Sequence, residues 1–200
     1  PATAAELHRV LASSLSARLA ELKAPETTLR SKLVKALPTT MTLAVLQRTN
    51  PAATSYACHL FWAGDSRAYV VDPEVGARQL TTDDLRSGAD AMRNLTDDSV
   101  MSNCISADTE FHINHRQVEL RAPFLLLCAT DGCFAYVRSP MHFEHLLLST
   151  LQGAGDAEAW RRALEAKVTA ITGDDAALAL LGLGAELDRF KKLFKDRTAQ

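Results

Sequence analysis

The sequence predicts an α+β domain in which antiparallel strands alternate with amphipathic helices. Two strand-like runs, at 56–63 and 68–72, flank a Gly-Asp-Ser turn. This pattern predicts a β-hairpin, because glycine tolerates positive φ while aspartate and serine bond the local backbone. Continuous apolar runs at Phe124–Ala129 and 176–181 predict two buried strands.

Helices and further strands follow in order along the chain. The three- and four-residue spacing of apolar side chains from Leu7 to Leu22 predicts a helix over Ala4–Leu22. Pro25 separates it from a second predicted helix over 26–37, and Asp156 is expected to cap a helix over 156–171. The remaining predicted elements are strands over Met41–Arg48 and 111–120, a loop over 82–107, and helices over 141–151 and 186–195.

The chain is expected to form one main domain with a helical tail. Residues 1–184 are assigned to the domain and residues 185–200 to a C-terminal amphipathic helix. The helix is expected to pack back on the domain, because its apolar side chains share one face. The alternatives are that it forms a dimer face or leads into a further region.

Composition excludes several classes of protein. The 200 residues are 47% hydrophobic and 23% charged, which is typical of a globular domain. A net charge of −2 gives no reason to expect nucleic acid or a membrane surface as a partner. No apolar run reaches the roughly 18 residues of a membrane helix, and no signal peptide is visible. The four cysteines form no Cys-x-x-Cys pair, which favours free thiols and a cytoplasmic location.

Carboxylates lie at the ends of three predicted strands. Asp65 is at the tip of the hairpin, Asp131 follows the run Phe124–Ala129, and Asp174 and Asp175 precede the run at 176–181. Carboxylates in such positions are costly unless they are solvated or paired with cations. We therefore expect folding to assemble them into one acidic cluster. Ligand sets of oxygen alone suit hard divalent cations such as Mg²⁺ or Mn²⁺.

Five short motifs occur in a specific order: Thr-Thr at 39–40, Gly-Asp-Ser-Arg at 64–67, Leu-Thr-Thr-Asp at 80–83, Thr-Asp-Gly at 130–132 and Asp-Asp at 174–175. This ordered set resembles the metal-dependent protein phosphatases of type 2C (the PPM family). The resemblance covers roughly residues 36 to 184. It implies a four-layer α-β-β-α sandwich, with two mainly antiparallel sheets flanked by helices.

The resemblance also implies roles for individual residues. Asp131 and Asp174 would bind the bridging metal pair and Asp65 a third, weaker metal, while Gly64, Gly132 and Asp175 support the site. No catalytic residue is identified beyond these metal ligands. Nearby charged residues are interpreted as structural: Arg67 is expected to form a salt bridge beneath the hairpin, and Asp83 and Asp84 to cap a loop or short helix.

A member of this family would be a Mg²⁺- or Mn²⁺-dependent protein serine/threonine phosphatase acting in signalling. Two to three cations would activate a water molecule for attack on the phosphorus of a phosphoserine or phosphothreonine in a protein substrate. The carboxylates of Asp65, Asp131 and Asp174 should then converge on one cleft. The oligomeric state is left open.

Two features of the family are absent from residues 1–200: the first metal motif, Asp-Gly-x-Gly-Gly, and the early phosphate-holding arginine. The only acids in residues 1–37 are Glu6, Glu21 and Glu26, and none follows a glycine-rich strand. We therefore expect residues 1–200 alone to bind Mn²⁺ weakly and to hydrolyse phosphoesters little or not at all. The alternative is a catalytically silent binding or regulatory module. An Asp-Gly-x-Gly-Gly strand upstream in the gene product would favour the phosphatase.

Overall fold

Two antiparallel sheets form the centre of the molecule. The computed structural model describes residues 3–22, 37–48, 50, 54–84 and 102–198. The first sheet consists of β1 (Met41–Arg48), β2 (Ser55–Ala63) and β5 (Asn114–Arg121), and β2 is its middle strand. The second sheet consists of β3 (Arg67–Asp72), β4 (Gly76–Gln79), β6 (Phe124–Ala129) and β7 (Leu178–Leu183), in the order β4-β3-β6-β7.

The sheets bury one apolar core between them. Alternate side chains of a strand point to opposite faces, so one face of β2 contributes Tyr56, Cys58, Leu60 and Trp62 to this core. These side chains face residues of the second sheet such as Leu126. Since β2 and β3 belong to different sheets, the turn at 64–66 crosses from one sheet to the other at an edge of the sandwich.

Helices cover the outer face of the second sheet. These are α2 (Pro140–Gly153) and α3 (Ala157–Ile171), with the shorter α4 (Leu187–Leu193) and α5 (Lys195–Thr198). Their apolar side chains and the outer face of the second sheet form a second core. The Ser139 hydroxyl accepts the His142 amide at 3.2 Å at the start of α2. Asp156 accepts the Ala159 amide at 2.7 Å and caps α3, as the sequence predicts.

The C-terminal segment packs on the same outer layer. Phe190 and Phe194 are buried in the second core. The Arg197 Nε donates to Glu144 Oε1 at 2.7 Å, and Glu144 Oε2 accepts the Ala77 amide at 2.9 Å. These bonds connect α5, α2 and β4. The amphipathic pattern of the tail therefore reflects a helix that packs back on the domain.

An N-terminal helix, α1 (Ala4–Leu22), precedes the first sheet. Thr3 and Glu6 form a reciprocal capping box: the Thr3 hydroxyl accepts the Glu6 amide at 3.2 Å, and Glu6 Oε2 accepts the Thr3 amide at 2.9 Å. The His8 ring lies 4.6 Å from the Phe111 ring, measured between centroids. This contact places α1 beside the chain that leads into β5.

The two antiparallel sheets with their helices confirm the predicted fold class. The predicted β-hairpin is wrong: β2 and β3 do not pair with each other, because the turn at 64–66 carries the chain from the first sheet into the second. Three other details differ from the sequence predictions. β4 was not predicted, β5 begins at Asn114 rather than at 111, and β7 (Leu178–Leu183) is a half-exposed strand at the edge of the described sheet rather than a buried one over 176–181. Residues 26–36 of the predicted helix over 26–37, and residues 85–101 of the predicted loop over 82–107, lie outside the described ranges. In the part of the chain that is described, no helix is long and apolar enough to cross a membrane.

Candidate metal centre

The Gly-Asp-Ser turn is fixed by direct contact with the Thr-Thr motif. Gly64 has φ of +92°, a conformation that favours glycine, and a Cβ added there would lie 2.5 Å from Thr40 Cγ2. The Thr40 and Ser66 hydroxyls are hydrogen-bonded at 2.7 Å, and the Thr42 hydroxyl donates to the Ser66 carbonyl at 2.5 Å. Two of the sequence motifs are therefore packed together at the edge of the sandwich.

Arg67 forms the salt bridge that the sequence analysis predicts. Its Nη2 lies 2.6 Å from Asp83 Oδ2, and its Nε donates to Asp83 Oδ1 at 2.9 Å. Its Nη1 also donates to the Tyr69 hydroxyl, and the guanidinium carbon lies 4.2 Å from the centroid of the Phe134 ring. Burial opposes the charge of Arg67, but the hydrogen bonds to Asp83 and Tyr69 outweigh it and raise the pKa of Arg67. Each of the three guanidinium nitrogens therefore has a partner in the protein, and these contacts hold the start of β3 in place.

Asp131 begins a single 3₁₀ turn, Asp131–Cys133, directly after β6. Its carbonyl accepts the Phe134 and Ala135 amides, and its carboxylate accepts the Gly132 amide at 2.9 Å. Thr130, the residue before Asp131, connects this turn to the segment that follows the Asp-Asp motif at 174–175. The Thr130 amide donates to the Ala177 carbonyl at 3.0 Å, and the Thr130 hydroxyl accepts the Ala177 amide at 2.9 Å.

The Asp174 loop packs against this turn. A Cβ added at Gly132 would lie 2.3 Å from the Asp175 carbonyl oxygen, so only glycine permits the two backbones to approach so closely. The Thr172 hydroxyl accepts the Asp174 amide at 3.2 Å and donates to the Asp174 carbonyl at 3.0 Å. The Asp174 carboxylate accepts the Asp175 amide at 2.7 Å and is otherwise exposed to solvent. The contacts of Gly132 and Asp175 bring the Asp131 and Asp174 segments side by side.

Asp65 and Asp131 are close enough to repel each other. Burial raises the pKa of Asp65, and the charge of Asp131 raises it further. A cation between such carboxylates would remove this repulsion, so the donor set fits a hard divalent ion. Across the described ranges, no three His, Cys, Asp or Glu side chains are grouped closely enough to hold a metal ion by themselves. Convergence of Asp65, Asp131 and Asp174 on one ion remains a prediction.

Asp84 has a role that sequence reasoning missed. Its carboxylate accepts the Gly64 amide at 2.9 Å and the side-chain amides of Asn103 and Asn114. These partners lie 19 to 30 residues away in sequence. No local pattern reports such distant contacts, which is why the sequence analysis did not find them.

Comparison with known proteins identifies the family. The family profile described as protein phosphatase 2C matches residues 2–169. The chain therefore belongs to the protein phosphatase 2C (PPM) family, as the ordered motifs predicted. None of the curated protein sequences matches it.

Solved structures of phosphatases share the fold. A bacterial serine phosphatase is 17% identical with a TM-score of 0.65, and the match covers 90% of this chain and 68% of that one. The serine/threonine phosphatase PstP/Ppp of Mycobacterium tuberculosis is 19% identical with a TM-score of 0.60, over 91% of this chain and 73% of that one. The catalytic domain of PstP in complex with two manganese ions is 19% identical with a TM-score of 0.53, over 90% and 72% of the two chains. At such identities the likeness shows the fold alone.

Proposed function

We propose that the full-length gene product is a Mg²⁺- or Mn²⁺-dependent protein serine/threonine phosphatase that acts in cytoplasmic signalling. Its substrates would be phosphoserine and phosphothreonine side chains of proteins. The observation that carries the proposal is the close packing of Gly132 on the Asp175 carbonyl, which brings the Asp131 and Asp174 segments together. The mutual repulsion of Asp65 and Asp131 supports a cation at the same edge of the sandwich. The two manganese ions in the PstP catalytic domain agree with this choice of metal.

The residues of the site would bind and orient rather than attack. Asp131 and Asp174 would hold the principal cations, and Asp65 a further one. When bound, the cations would supply a hydroxide near neutral pH and neutralise the phosphate oxygens. We assign no nucleophilic role to Cys133, the thiol adjacent to this site, because burial raises its pKa and its Sγ donates to the Ala177 carbonyl at 3.3 Å.

We further propose that residues 1–184 belong to a type 2C phosphatase domain that is completed by strands outside this sequence. Within the described residues, β7 pairs only with β6, and Leu181 on β7 is 47% exposed. A groove of about 840 Å³ lies between α3 and β7, lined by apolar side chains such as Trp160, Leu164 and Leu180. A further strand paired with the open edge of β7 would cover this surface and adjoin the Asp174 loop. Such a strand would be in position to supply the missing carboxylate.

The proposed function is tested by phosphate release from a phosphothreonine peptide. The full-length gene product should release phosphate with Mn²⁺ present, and EDTA should abolish the release. Asp131→Ala and Asp174→Ala should each reduce the rate by more than about 100-fold, since they remove ligands rather than the groups that orient ligands. Asp72→Ala is the matched control, because Asp72 accepts the Glu74 and Val75 amides in a turn remote from the site. It should retain the wild-type rate.

The second candidate function is a catalytically silent phosphatase-like module that binds or regulates a partner. It is favoured by the lack of a grouped three-ligand site among the described side chains. This candidate predicts no Mn²⁺-dependent phosphate release by the full-length gene product, whatever residue occupies positions 131 and 174. The same assay therefore separates the two functions.

A further inference from the structure

Asp84 holds both peptide groups of Gly64. Its Oδ2 accepts the Gly64 amide at 2.9 Å, and its own amide donates to the Gly64 carbonyl at 3.1 Å. That carbonyl belongs to the peptide unit that joins Gly64 to Asp65. Because a peptide unit is planar, a hydrogen bond that holds the Gly64 carbonyl also holds the Asp65 nitrogen, and so limits the directions that the Asp65 side chain can take.

The remaining capacity of the Asp84 carboxylate is filled by neutral donors. Asn103 Nδ2 donates to Oδ2 at 2.6 Å, and Asn114 Nδ2 lies 3.0 Å from Oδ1 and 2.9 Å from Oδ2. His112 Nε2 is 4.0 Å from Oδ1, and the Asp84 side chain is 14% exposed. Three N–H groups thus bond this carboxylate, and all three reach Oδ2. Asp84 is therefore engaged in holding the turn rather than aimed at the cations, although it lies beside the site.

We call the two hydrogen bonds from Asp84 to Gly64 the clamp, and neighbouring residues hold it in place. The Asn103 side chain is bonded to both backbone groups of His112, at 3.1 Å each, and Asn114 is the first residue of β5. The Asn114 Nδ2 also lies 3.3 Å from the Trp62 carbonyl on β2. The first sheet therefore holds Asp84, Asp84 holds Gly64, and Gly64 determines the direction of Asp65.

We propose that Asp84 is a positioning residue for the cation at Asp65. By holding the Gly64–Asp65 peptide unit in the positive-φ turn, it aims the Asp65 carboxylate towards Asp131. This inference rests on the proposed function, because it requires that Asp65 bind a cation. Loss of the clamp should weaken the cation at Asp65 and spare the cation at Asp131.

Anomalous diffraction from crystals of this chain soaked in rising Mn²⁺ concentrations tests the inference without requiring turnover, because it gives the occupancy of each cation separately. In the wild type, Mn²⁺ should occupy positions at Asp65 and at Asp131. Asp84→Asn turns one acceptor oxygen into an amide NH₂ group that faces the Asn103 and Asn114 donors. It should raise the Mn²⁺ concentration that half-occupies the position at Asp65 by about tenfold or more and leave the occupancy at Asp131 unchanged. Asp72→Asn, which alters a turn aspartate elsewhere, should behave as wild type.

Equal changes in occupancy at Asp65 and Asp131, or no change at either, would overturn the positioning role of Asp84. If Asp84→Asn fails to fold, Asn114→Ser provides a milder variant, which keeps Asp84 but removes an amide that holds its carboxylate against Gly64. It should lower the Mn²⁺ occupancy at Asp65 alone. Failure of the proposed function is distinguishable from failure of this inference. It would appear as absent phosphate release by the full-length gene product while the wild-type chain still binds Mn²⁺ at Asp65.

Discussion

Asp65, a proposed metal ligand, is a charged group in surroundings that disfavour its charge. It is half-buried, and both burial and the neighbouring Asp131 disfavour its charged form. A folded chain without cations therefore carries unrelieved repulsion at this edge of the sandwich. Residues with this property are typical of sites that bind a ligand of opposite charge.

Asp65→Asn should raise the melting temperature of the cation-free chain at pH 7. The substitution keeps the shape of the side chain and removes the charge that burial and Asp131 disfavour. Thermal unfolding in EDTA, with and without the substitution, measures the effect. Excess Mn²⁺ should reverse the order of the two proteins, because only the wild type gains a ligand for the cation. A lower melting temperature for Asp65→Asn in EDTA would show that the carboxylate is stabilising without metal.

Asp83→Ala should lower the free energy of unfolding by about 2–3 kcal/mol. It leaves the Arg67 guanidinium, whose side chain is only 30% exposed, without its carboxylate partner. Urea denaturation measures the loss. The double variant Arg67→Met with Asp83→Ala should recover part of it, because it leaves no unpaired charge. A double variant that is less stable than Asp83→Ala would contradict this account of the pair.

Contacts between loops and strands determine the geometry of the candidate site. The 3₁₀ turn after β6 and the loop before β7 are adjacent because β6 and β7 pair along their length, from Phe124 opposite Leu183 to Ala129 opposite Leu178. Glycine at position 132 then allows the two backbones to touch. The separation of the Asp131 and Asp174 segments is therefore controlled by one residue without a side chain.

Gly132→Ala should reduce Mn²⁺-dependent phosphate release by the full-length gene product by about 10- to 100-fold. The added Cβ would meet the Asp175 carbonyl oxygen at 2.3 Å and push the Asp131 and Asp174 segments apart. Gly153→Ala is the matched control, since no atom lies within 4 Å of its added Cβ at the end of α2. The control should keep the wild-type rate and be equally stable or more stable, by up to about 1 kcal/mol. Equal activity of the two variants would show that the spacing at Gly132 is unimportant.

Phe194→Ala should lower the free energy of unfolding by about 3–5 kcal/mol. Phe194 is completely buried between the C-terminal helices and the second sheet, and its removal leaves a cavity. Chemical denaturation measures the loss, with exposed Lys192→Ala as the control, which should change stability by less than about 0.5 kcal/mol. A loss of that small size for Phe194→Ala would show that the tail is not part of the core.

The sequence predicted most helices and strands because their periodicity is local. The amphipathic spacing in α1 and α3, and the apolar run of β6, each carry a signal within a few residues. β4 was missed because Gly76–Gln79 is short and carries only one apolar side chain, Ala77. β7 was predicted as buried because its sequence is apolar, whereas its exposure depends on what pairs with its outer edge.

In the candidate site, too, the features with a local sequence signal could be predicted, and those that depend on contacts between distant segments could not. Asp65, Asp131 and Asp174 could be predicted as candidates because each lies in a short motif next to a predicted strand. The clamp around Asp84 was not found, because its amide partners come from β5 and from the chain before it. The packing of Gly132 on Asp175 likewise depends on strand pairing between distant segments.

The domain as a whole has the fold of its family, and we propose that the described residues form only part of the metal site. The family profile covers residues 2–169, and the structural matches cover about nine-tenths of the chain but 68% and 73% of two of the phosphatases it resembles. The edge of β7 that no described strand pairs with, and the groove between α3 and β7, adjoin the Asp174 loop. We expect residues 1–200 alone to bind Mn²⁺ more weakly than the full-length gene product, as isothermal titration calorimetry of both would measure. Equal affinities would show that the chain already contains a complete site.

Anomalous diffraction from crystals of the full-length gene product grown with Mn²⁺ locates the cations themselves. The account predicts Mn²⁺ bound by carboxylate oxygens of Asp131 and Asp174, with a weaker site at Asp65. Ligand distances to hard divalent cations are roughly 2.0–2.6 Å, so these carboxylates must lie within a few ångströms of one another. Mn²⁺ bound elsewhere, or Asp131 and Asp174 carboxylates more than about 10 Å apart, would contradict the account.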